Sequence, residues 1–456
     1  MDTIYKVVEA SGNLVWGPFM LCLLIGTGIY LTIGTGFISL RKLPLAIKMT
    51  LSKGDTQPEG HISPFQALMT ALSSTVGIGN IAGVATAIYS GGPGALFWMW
   101  ISALFGMATT YGEAVLAVKY RTTYPDGTIV GGPMWYISRG LKLPWLGWIF
   151  AFFGSIAAFG IGNMVQANSV AVVLKEVCLV PPFATGLLLA TMTGLVLIGG
   201  ITRIGKVTAK LVPFMVILYV GASMLIILQN IDKVPRVIEL IISHAFTSIA
   251  AMGGFSGALV SQAIRYGVAR GVFSNEAGLG STPIVHAVAK TKSPVRQGLI
   301  AMNGTFIDTI IVCSMTGIII LLNKNVWTSG ETSSVLSTLA YETCLPGVGS
   351  YIVTLGVILF AYSTLIGWSY YGETCIEYIF GIKVKNYYRW IYCFLVIIGA
   401  SIKVDLVWNI CDTMNGAMAI PNLIGVLGLS GVIFRETRKY FFNQAGATFA
   451  DIKKRN

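Results

Sequence analysis

Charge is scarce in this chain. Only 11% of its 456 residues are Asp, Glu, Lys or Arg, against roughly 25% in a soluble globular domain, so an ordinary water-facing surface is excluded. Histidine is scarcer still: His61, His244 and His286 are the only three, too dispersed to form a metal cluster. The seven cysteines, at 22, 178, 313, 344, 375, 393 and 411, are odd in number and include no CxxC pair, which speaks against a disulfide framework. Two stretches imitate soluble-enzyme motifs and fail. "GGITRIGKV", Gly199 to Val207, ends on Val207 where a phosphate loop needs Ser or Thr, and "GIGNIAG", Gly77 to Gly83, lacks the preceding strand of a dinucleotide site. No enzyme is expected here.

Apolar residues are abundant instead: they make up 54% of the chain, and mean hydropathy is +0.73. An apolar stretch of about 20 residues spans a bilayer core about 30 Å thick. Eleven such stretches are expected, near 13–36, 64–90, 93–118, 145–173, 183–201, 207–229, 252–288, 297–322, 346–379, 388–402 and 405–434. The first is too long for a signal-peptide core and has no small-residue cleavage pattern, so it is expected to stay in the mature protein. The fold class is therefore all-α integral membrane, with the lipid bilayer as partner.

The cations orient the bundle, because short cytoplasmic loops carry excess Lys and Arg. With the N-terminus outside, 23 of the 31 cations fall in one set of alternate loops and in a basic C-terminal tail (435–456). Six fall in the other set, and Arg265 and Arg270 lie within a span. The net charge of +12 thus reads as a topology signal rather than a nucleic-acid surface. It predicts a cytoplasmic C-terminus in the cell membrane.

Two spans are anomalous. "TALSSTVGIGNIAG", 70–83, carries Ser73, Ser74, Thr75, Gly77, Gly79 and Asn80, and "YGVARGVFSNEAGLGSTP", 266–283, holds four glycines, a proline, Ser274, Asn275 and Glu276. Such small polar residues in a membrane helix can mark close packing. Two matched segments, each opening a group of five spans, point instead to a binding site, since Gly-interrupted segments in two inverted halves mark the midplane site of a transporter. An unwound stretch frees backbone groups that are tolerated only where they line a cavity. The N-terminus of a resumed half-helix suits a carboxylate, and freed carbonyls suit Na⁺. The expected layout is an N-terminal helix (1–40), a first five-helix repeat (64–229) and a second, inverted one (252–434).

"GGPGALFWMWISALFG", Gly91 to Gly106, matches in full the signature of the alanine or glycine:cation symporters, also called the sodium:alanine symporters. "GVFSNEAGLGS" (271–281), "FGIGNMVQANS" (159–169), "FAYSTLIGWSYYGE" (360–373) and "WNICDTMNGAMAIPNLIG" (408–425) resemble the same family, so the resemblance covers nearly the whole chain. It implies the leucine-transporter-like fold of two inverted five-helix repeats, here with one additional N-terminal helix. It also implies Na⁺-coupled uptake of small neutral amino acids: alanine, glycine, and D-alanine as a further candidate. By that resemblance the carbonyls of Ser73, Val76 and Phe360 and the hydroxyls of Ser363 and Thr364 form the sodium site, with a weaker second site near Thr75 and Asn80.

For the substrate, the resemblance and the break together nominate Thr75, Gly77, Ile78, Gly79 and Asn80, with the Gly77 and Gly79 amides taking the carboxylate. Freed carbonyls of Phe273 and Ser274 would take the ammonium. Asn163 and Gln166 share one helical face at a three-residue spacing, with interhelical hydrogen bonding as their alternative role, and Trp368 would cap the pocket. Ionisable residues inside spans are functional candidates by default: Glu113, Arg265, Arg270, Glu276, Asp308, Asp405 and Asp412. Arg270 and Glu276 flank the second break as a possible gate, while Asp412, Asn409 and Asn415 read as a structural stripe. Proton coupling, a glutamine substrate, a channel and an amino-acid sensor are the alternatives. A channel needs a continuous polar pore and a sensor an attached soluble domain, and neither is evident; nor is an obligate protein partner.

Overall fold

A computed structural model describes residues 8, 10–12, 14–52, 59–246 and 256–453, without the side chains of 256–259, 405 and 443–453. The start of the expected span at 252, Lys6, Lys53 and the tail residues Lys454 and Arg455 lie outside the described residues, and so does the Asp405 side chain.

The described chain is almost wholly helical. Helix α1 runs Pro18–Gly34. Helix α2, Pro64–Thr75, starts on a capping box: Gln66 N–H donates to Ser63 Oγ (3.1 Å) and Ser63 N–H to Gln66 Oε1 (2.9 Å), with Pro64 in the first turn. A 3₁₀ turn, Ile78–Asn80, leads into α3, Ala82–Gly91, and the two halves of this span meet at 60°. Then come α4 (Gly94–Lys119), a hairpin of Thr122–Thr123 against Ile129–Val130, and the short α5 (Pro133–Gly140). The next span, α6 (Pro144–Phe159) and α7 (Val165–Cys178), is joined by a π-turn at Gly160–Met164. Helices α8 (Pro182–Leu197), α9 (Gly200–Gln229) and α10 (Val234–Phe246) follow.

Helix α11, Ser256–Asn275, gives way to irregular chain before α12, Thr282–His286. Helices α13 (Pro294–Thr305) and α14 (Ser314–Leu321) flank a π-segment, Phe306–Cys313. The chain closes with α15 (Gly349–Phe380), α16 (Lys385–Ser401), α17 (Asp405–Gly428) and α18 (Ser430–Lys453).

Six of the unbroken or smoothly joined helices are long and apolar enough to cross a membrane, and the bent α2–α3 pair makes a seventh. Helix is also present within each of the other expected spans. One boundary differs: the last expected span, 405–434, turns at Leu429, and 430–453 continues as a separate helix where a tail was expected.

The surface and the interior show what solvent the fold is built for. Phe19, Ile217, Leu225, Trp390 and Phe394 are exposed, while Ser73, Asn80, Glu113, Asp308 and Ser363 are buried. Such an inverted polarity suits a lipid-facing bundle with a polar interior. Glycine sets the closest approaches there. A Cβ at Gly367 would stand 2.6 Å from Ser73 Oγ, and one at Gly162 would stand 2.3 Å from Trp368 Cβ, so α15 presses directly on both the first break and the π-turn.

Candidate functional site

The first break is made by one side chain. Asn80 Oδ1 accepts from Gly77 N–H at 2.9 Å, and that amide would otherwise close the α2 ladder on the Ser73 carbonyl. Asn80 N–H turns back to the Gly77 carbonyl (3.2 Å) instead of reaching Val76. The carbonyls of Ser73 and Val76 thereby lose their regular donors. Val76 O meets only Ser363 Oγ, at 3.5 Å, and Ser363 Oγ and Thr364 Oγ1 each donate to Phe360 O at 2.9 Å. Four oxygens from two helices, Val76 O, Phe360 O, Ser363 Oγ and Thr364 Oγ1, are therefore linked in one cluster. Glycine is required at 77 because a Cβ would stand 2.6 Å from Thr364 Oγ1.

The second break repeats the device. Asn275 Oδ1 accepts from Ala277 N–H at 3.0 Å, and Leu279 N–H bonds to Glu276 O, so the Phe273 and Asn275 carbonyls at the end of α11 are released. The chain then passes through left-handed φ at Glu276 (57°), Gly278 (88°) and Gly280 (87°). Asn422 holds this loop, donating to Gly278 O (2.9 Å) and Glu113 Oε1 (2.5 Å) while accepting from the Tyr136 hydroxyl.

Asp308, in the π-segment, joins the two breaks. Its carboxylate accepts from Asn80 Nδ2 (2.7 Å), Ser274 Oγ (2.9 Å) and Thr309 Oγ1 (2.8 Å), and Thr309 accepts in turn from Asn275 Nδ2 (3.0 Å).

Between the breaks lies a cavity of about 20 Å³, room for a single water. Its walls are Ser74, Thr75, Gly77, Ile78 and Gly79 of the first break, Ile161 and Gln166 beside the π-turn, Phe273 and Glu276, Thr364 and Trp368, and Asn415. Trp368 Nε1 donates to Glu276 Oε1 (2.9 Å), Ser281 Oγ donates to Glu276 Oε2, and the Trp368 ring packs edge-on against Tyr371. Gln166 donates to Ile161 O (3.0 Å), leaving its Oε1 buried without a partner. Backbone donors at one wall and released carbonyls at another match the two charges of a zwitterion, and the walls are drawn together to about the volume of a water.

Comparison with known proteins agrees. The sodium:alanine symporter family model matches residues 1–453. This chain belongs to that family. It is 51% identical to the sodium/alanine symporter AgcS of Methanococcus maripaludis, over 96% of this chain and 98% of the relative. It is 35% identical to a probable sodium/glutamine symporter, GlnT, of Bacillus subtilis, over 95% and 90%. Among solved structures, a mutant of the Eremococcus coleocola manganese transporter aligns with a TM-score of 0.54 at 16% identity, covering 84% of this chain and 81% of that one. That likeness concerns the fold alone.

In this symporter chain the family signature turns out to serve packing. A Cβ at Gly94 would stand 2.3 Å from the His244 carbonyl, and one at Gly106 would stand 2.9 Å from Ala277 Cβ at the second break.

The geometry also corrects several expectations. Thr75, Gly77, Ile78, Gly79, Gln166, Phe273 and Trp368 share the cavity, but the Gly77 amide expected to take the carboxylate is spent on Asn80 Oδ1, and Asn80 and Ser274 do not line it: their side chains turn to Asp308. Asn163 donates to Tyr392 O (2.8 Å), the interhelical alternative. Arg270 and Glu276 form no pair. Arg270 stacks over the Phe273 ring at 5.6 Å on one side, and Glu276 faces the cavity on the other. The stripe on α17 is divided, with Asn415 in the cavity and Asn409 and Asp412 in a separate pocket. Sequence reasoning did not nominate Ser74, Ile161 or Asn415 for the cavity, and it left Asp308 and Glu113 without roles. The ionisable pair could be flagged as buried charges in spans, but Ile161 offers no signal.

Proposed function

We propose that this chain is a sodium-coupled secondary active symporter that imports small neutral amino acids, alanine and glycine first, by alternating access. The observation that carries the reading is the cavity between two broken helices, lined by Ile78 and Gly79, whose amides are open while that of Gly77 goes to Asn80 Oδ1, and by Phe273, whose carbonyl is released.

In this reading the substrate carboxylate sits on the amides of Ile78 and Gly79, where a half-helix resumes and its dipole favours negative charge. The ammonium faces Phe273 O and Glu276. Trp368, fixed by Glu276, closes the side-chain end and admits only a small group. Na⁺ is held by the carbonyls of Ser73, Val76 and Phe360 and by Ser363 and Thr364, whose hydroxyls rotate to present lone pairs. The ion bridges α2 and α15, so its binding favours one arrangement of these helices and its release on the far side the other.

The accompanying topology is eleven spans in the cell membrane, with inverted repeats 64–229 and 252–434, an outside N-terminus and a cytoplasmic C-terminus. A glutamine substrate is the second reading, favoured by the GlnT likeness; the close approach of the walls, with Trp368 among them, favours the smaller amino acids.

The test is uptake of labelled alanine into proteoliposomes, with and without an inward Na⁺ gradient, against unlabelled glycine, D-alanine, serine and glutamine. Accumulation that requires the gradient and yields to the small competitors is expected. Uptake driven by a pH gradient and indifferent to Na⁺ would overturn the ion assignment. In Trp368→Ala, larger amino acids should compete at least tenfold better; an unaltered competition profile removes Trp368 from the pocket cap.

A further inference from the structure

Helix α9 is the long span most open to lipid. Only 33% of its apolar window is buried, against 61–83% in the other unbroken long spans, and Phe214, Ile217 and Leu225 stand exposed along it. Yet its first three turns carry Arg203, Lys206 and Lys210, all exposed. Spacings of three and four residues put them on one face, where they line an open recess of about 760 Å³.

The recess has two kinds of surface. Beside the cations run Val207, Leu211 and Phe214, four and three residues apart, so an apolar row lies against a basic one, and Gln66, in the first turn of α2, adds a further wall. Among the described residues no carboxylate lines the recess, and none of the three cations is held in an ion pair. Gln66 Oε1 accepts from Ser63 N–H (2.9 Å), which leaves its Nε2 donors for a ligand. Lys210 lies ten residues into the helix, about 15 Å from its start, deeper than a loop charge that only orients the chain. A lysine at that depth on a lipid-facing helix is costly unless its ammonium reaches back to a polar partner.

We propose that this recess binds one anionic phospholipid. The phosphate lies against Lys206, Lys210 and Arg203, whose planar fork fits two phosphate oxygens, and one acyl chain follows Val207, Leu211 and Phe214 along α9. A zwitterionic lipid is a poorer match, because its own cation would face three others. Such a site depends on the membrane setting and not on which solute is carried, but it touches the first broken helix. Gln66 closes the capping box that starts α2, the Thr70 and Thr208 hydroxyls bond across α2 and α9 (2.8 Å), and a Cβ at Gly205 would stand 3.0 Å from Ile62. A bound headgroup therefore pins α9 to the start of α2.

The experiment titrates the purified full-length chain in detergent with phosphatidylglycerol, phosphatidylcholine, glycerophosphoglycerol or inorganic phosphate, reading the unfolding midpoint and, by native mass spectrometry, the lipid retained. Phosphatidylglycerol is expected to raise the midpoint saturably by several degrees with one lipid retained per chain, while the two water-soluble phosphates leave it unchanged. Lys206→Gln with Lys210→Gln should need at least about tenfold more phosphatidylglycerol for half the shift; an unaltered requirement overturns the site. Equal retention and shift with phosphatidylcholine overturn the selection for an anionic headgroup and the proposal with it. The same shift with inorganic phosphate overturns it too, since no acyl chain is then needed. If the double variant does not fold, Arg203→Gln decides: a several-fold weaker phosphatidylglycerol effect supports the site, and an unchanged one overturns it.

Discussion

The two breaks use one trick and put it to different ends. Each has an asparagine that takes a backbone amide, Asn80 from Gly77 and Asn275 from Ala277. The first break is short, and its freed groups face the cavity and the oxygens of α15. The second runs through three left-handed residues, and its loop is tied into the protein by Asn422, Glu113 and Tyr136. One break turns its freed backbone to the cavity; the other is a braced loop that reaches the cavity only at Phe273 and Glu276.

The sharpest way to break the second is Gly280→Ala. At φ +87° a Cβ is strained, and it would stand 2.8 Å from Asn422, Phe150 and Pro133, so a loss of about 2–4 kcal/mol is expected from backbone strain and overpacking together. Thermal unfolding in detergent measures it; an unchanged midpoint would show that the loop is not braced.

Next come the two asparagines. Asn80→Ala removes the cap on Gly77 and a donor to Asp308, and should cut uptake at least a hundredfold while costing about 1–3 kcal/mol of stability. Asn275→Ala should cost similar stability with a milder loss of uptake. Equal transport defects in both would erase the distinction between ligand-facing and braced breaks.

Ser363→Ala with Thr364→Ala touches only the oxygens facing the first break, and should raise the Na⁺ concentration for half-maximal uptake about tenfold, or about 1.4 kcal/mol. An unchanged Na⁺ dependence would take these hydroxyls out of the ion site.

The smallest effect concerns how the first broken helix is anchored. His61, just before α2, accepts from Ile129 N–H at its Nε2 (2.8 Å), and burial, then the charges of Lys385 and Lys290, hold its pKa below the ordinary 6.5. A histidine depressed by folding adds stability that is complete above its unfolded pKa and is lost as pH falls through that value toward the folded one. The melting temperature should therefore drop by a few degrees between pH 7.5 and 5.5, and His61→Gln should flatten the profile. A wild-type profile already flat in this window would remove His61 as an anchor.

The positions of both breaks were legible because glycine and small polar residues stand out against apolar spans, and Gly77, Gly79 and Phe273, singled out for backbone chemistry, all line the cavity between them. The failures were side chains whose direction depends on local winding. Asn163 and Gln166 share a face only on a regular α-helix. Asn163 lies inside the Gly160–Met164 π-turn, whose wider winding rotates it toward Tyr392 and leaves Gln166 at the cavity. Arg270 and Glu276 were separated in the same way: α11 ends at Asn275, and the left-handed φ of Glu276 sends its carboxylate to Trp368.

Composition and pattern alone determined that this chain belongs in a membrane and where its helices must be interrupted, since burying charge and freeing backbone in lipid are too costly to happen by accident. Only the tertiary structure decided which polar groups meet: that Asp308 joins the two breaks, that Glu276 fixes Trp368, and that Arg270 and Asp412 face a separate pocket. Those pairings join residues from about thirty to about 230 positions apart, and their geometry is set by how closely glycine lets the helices approach.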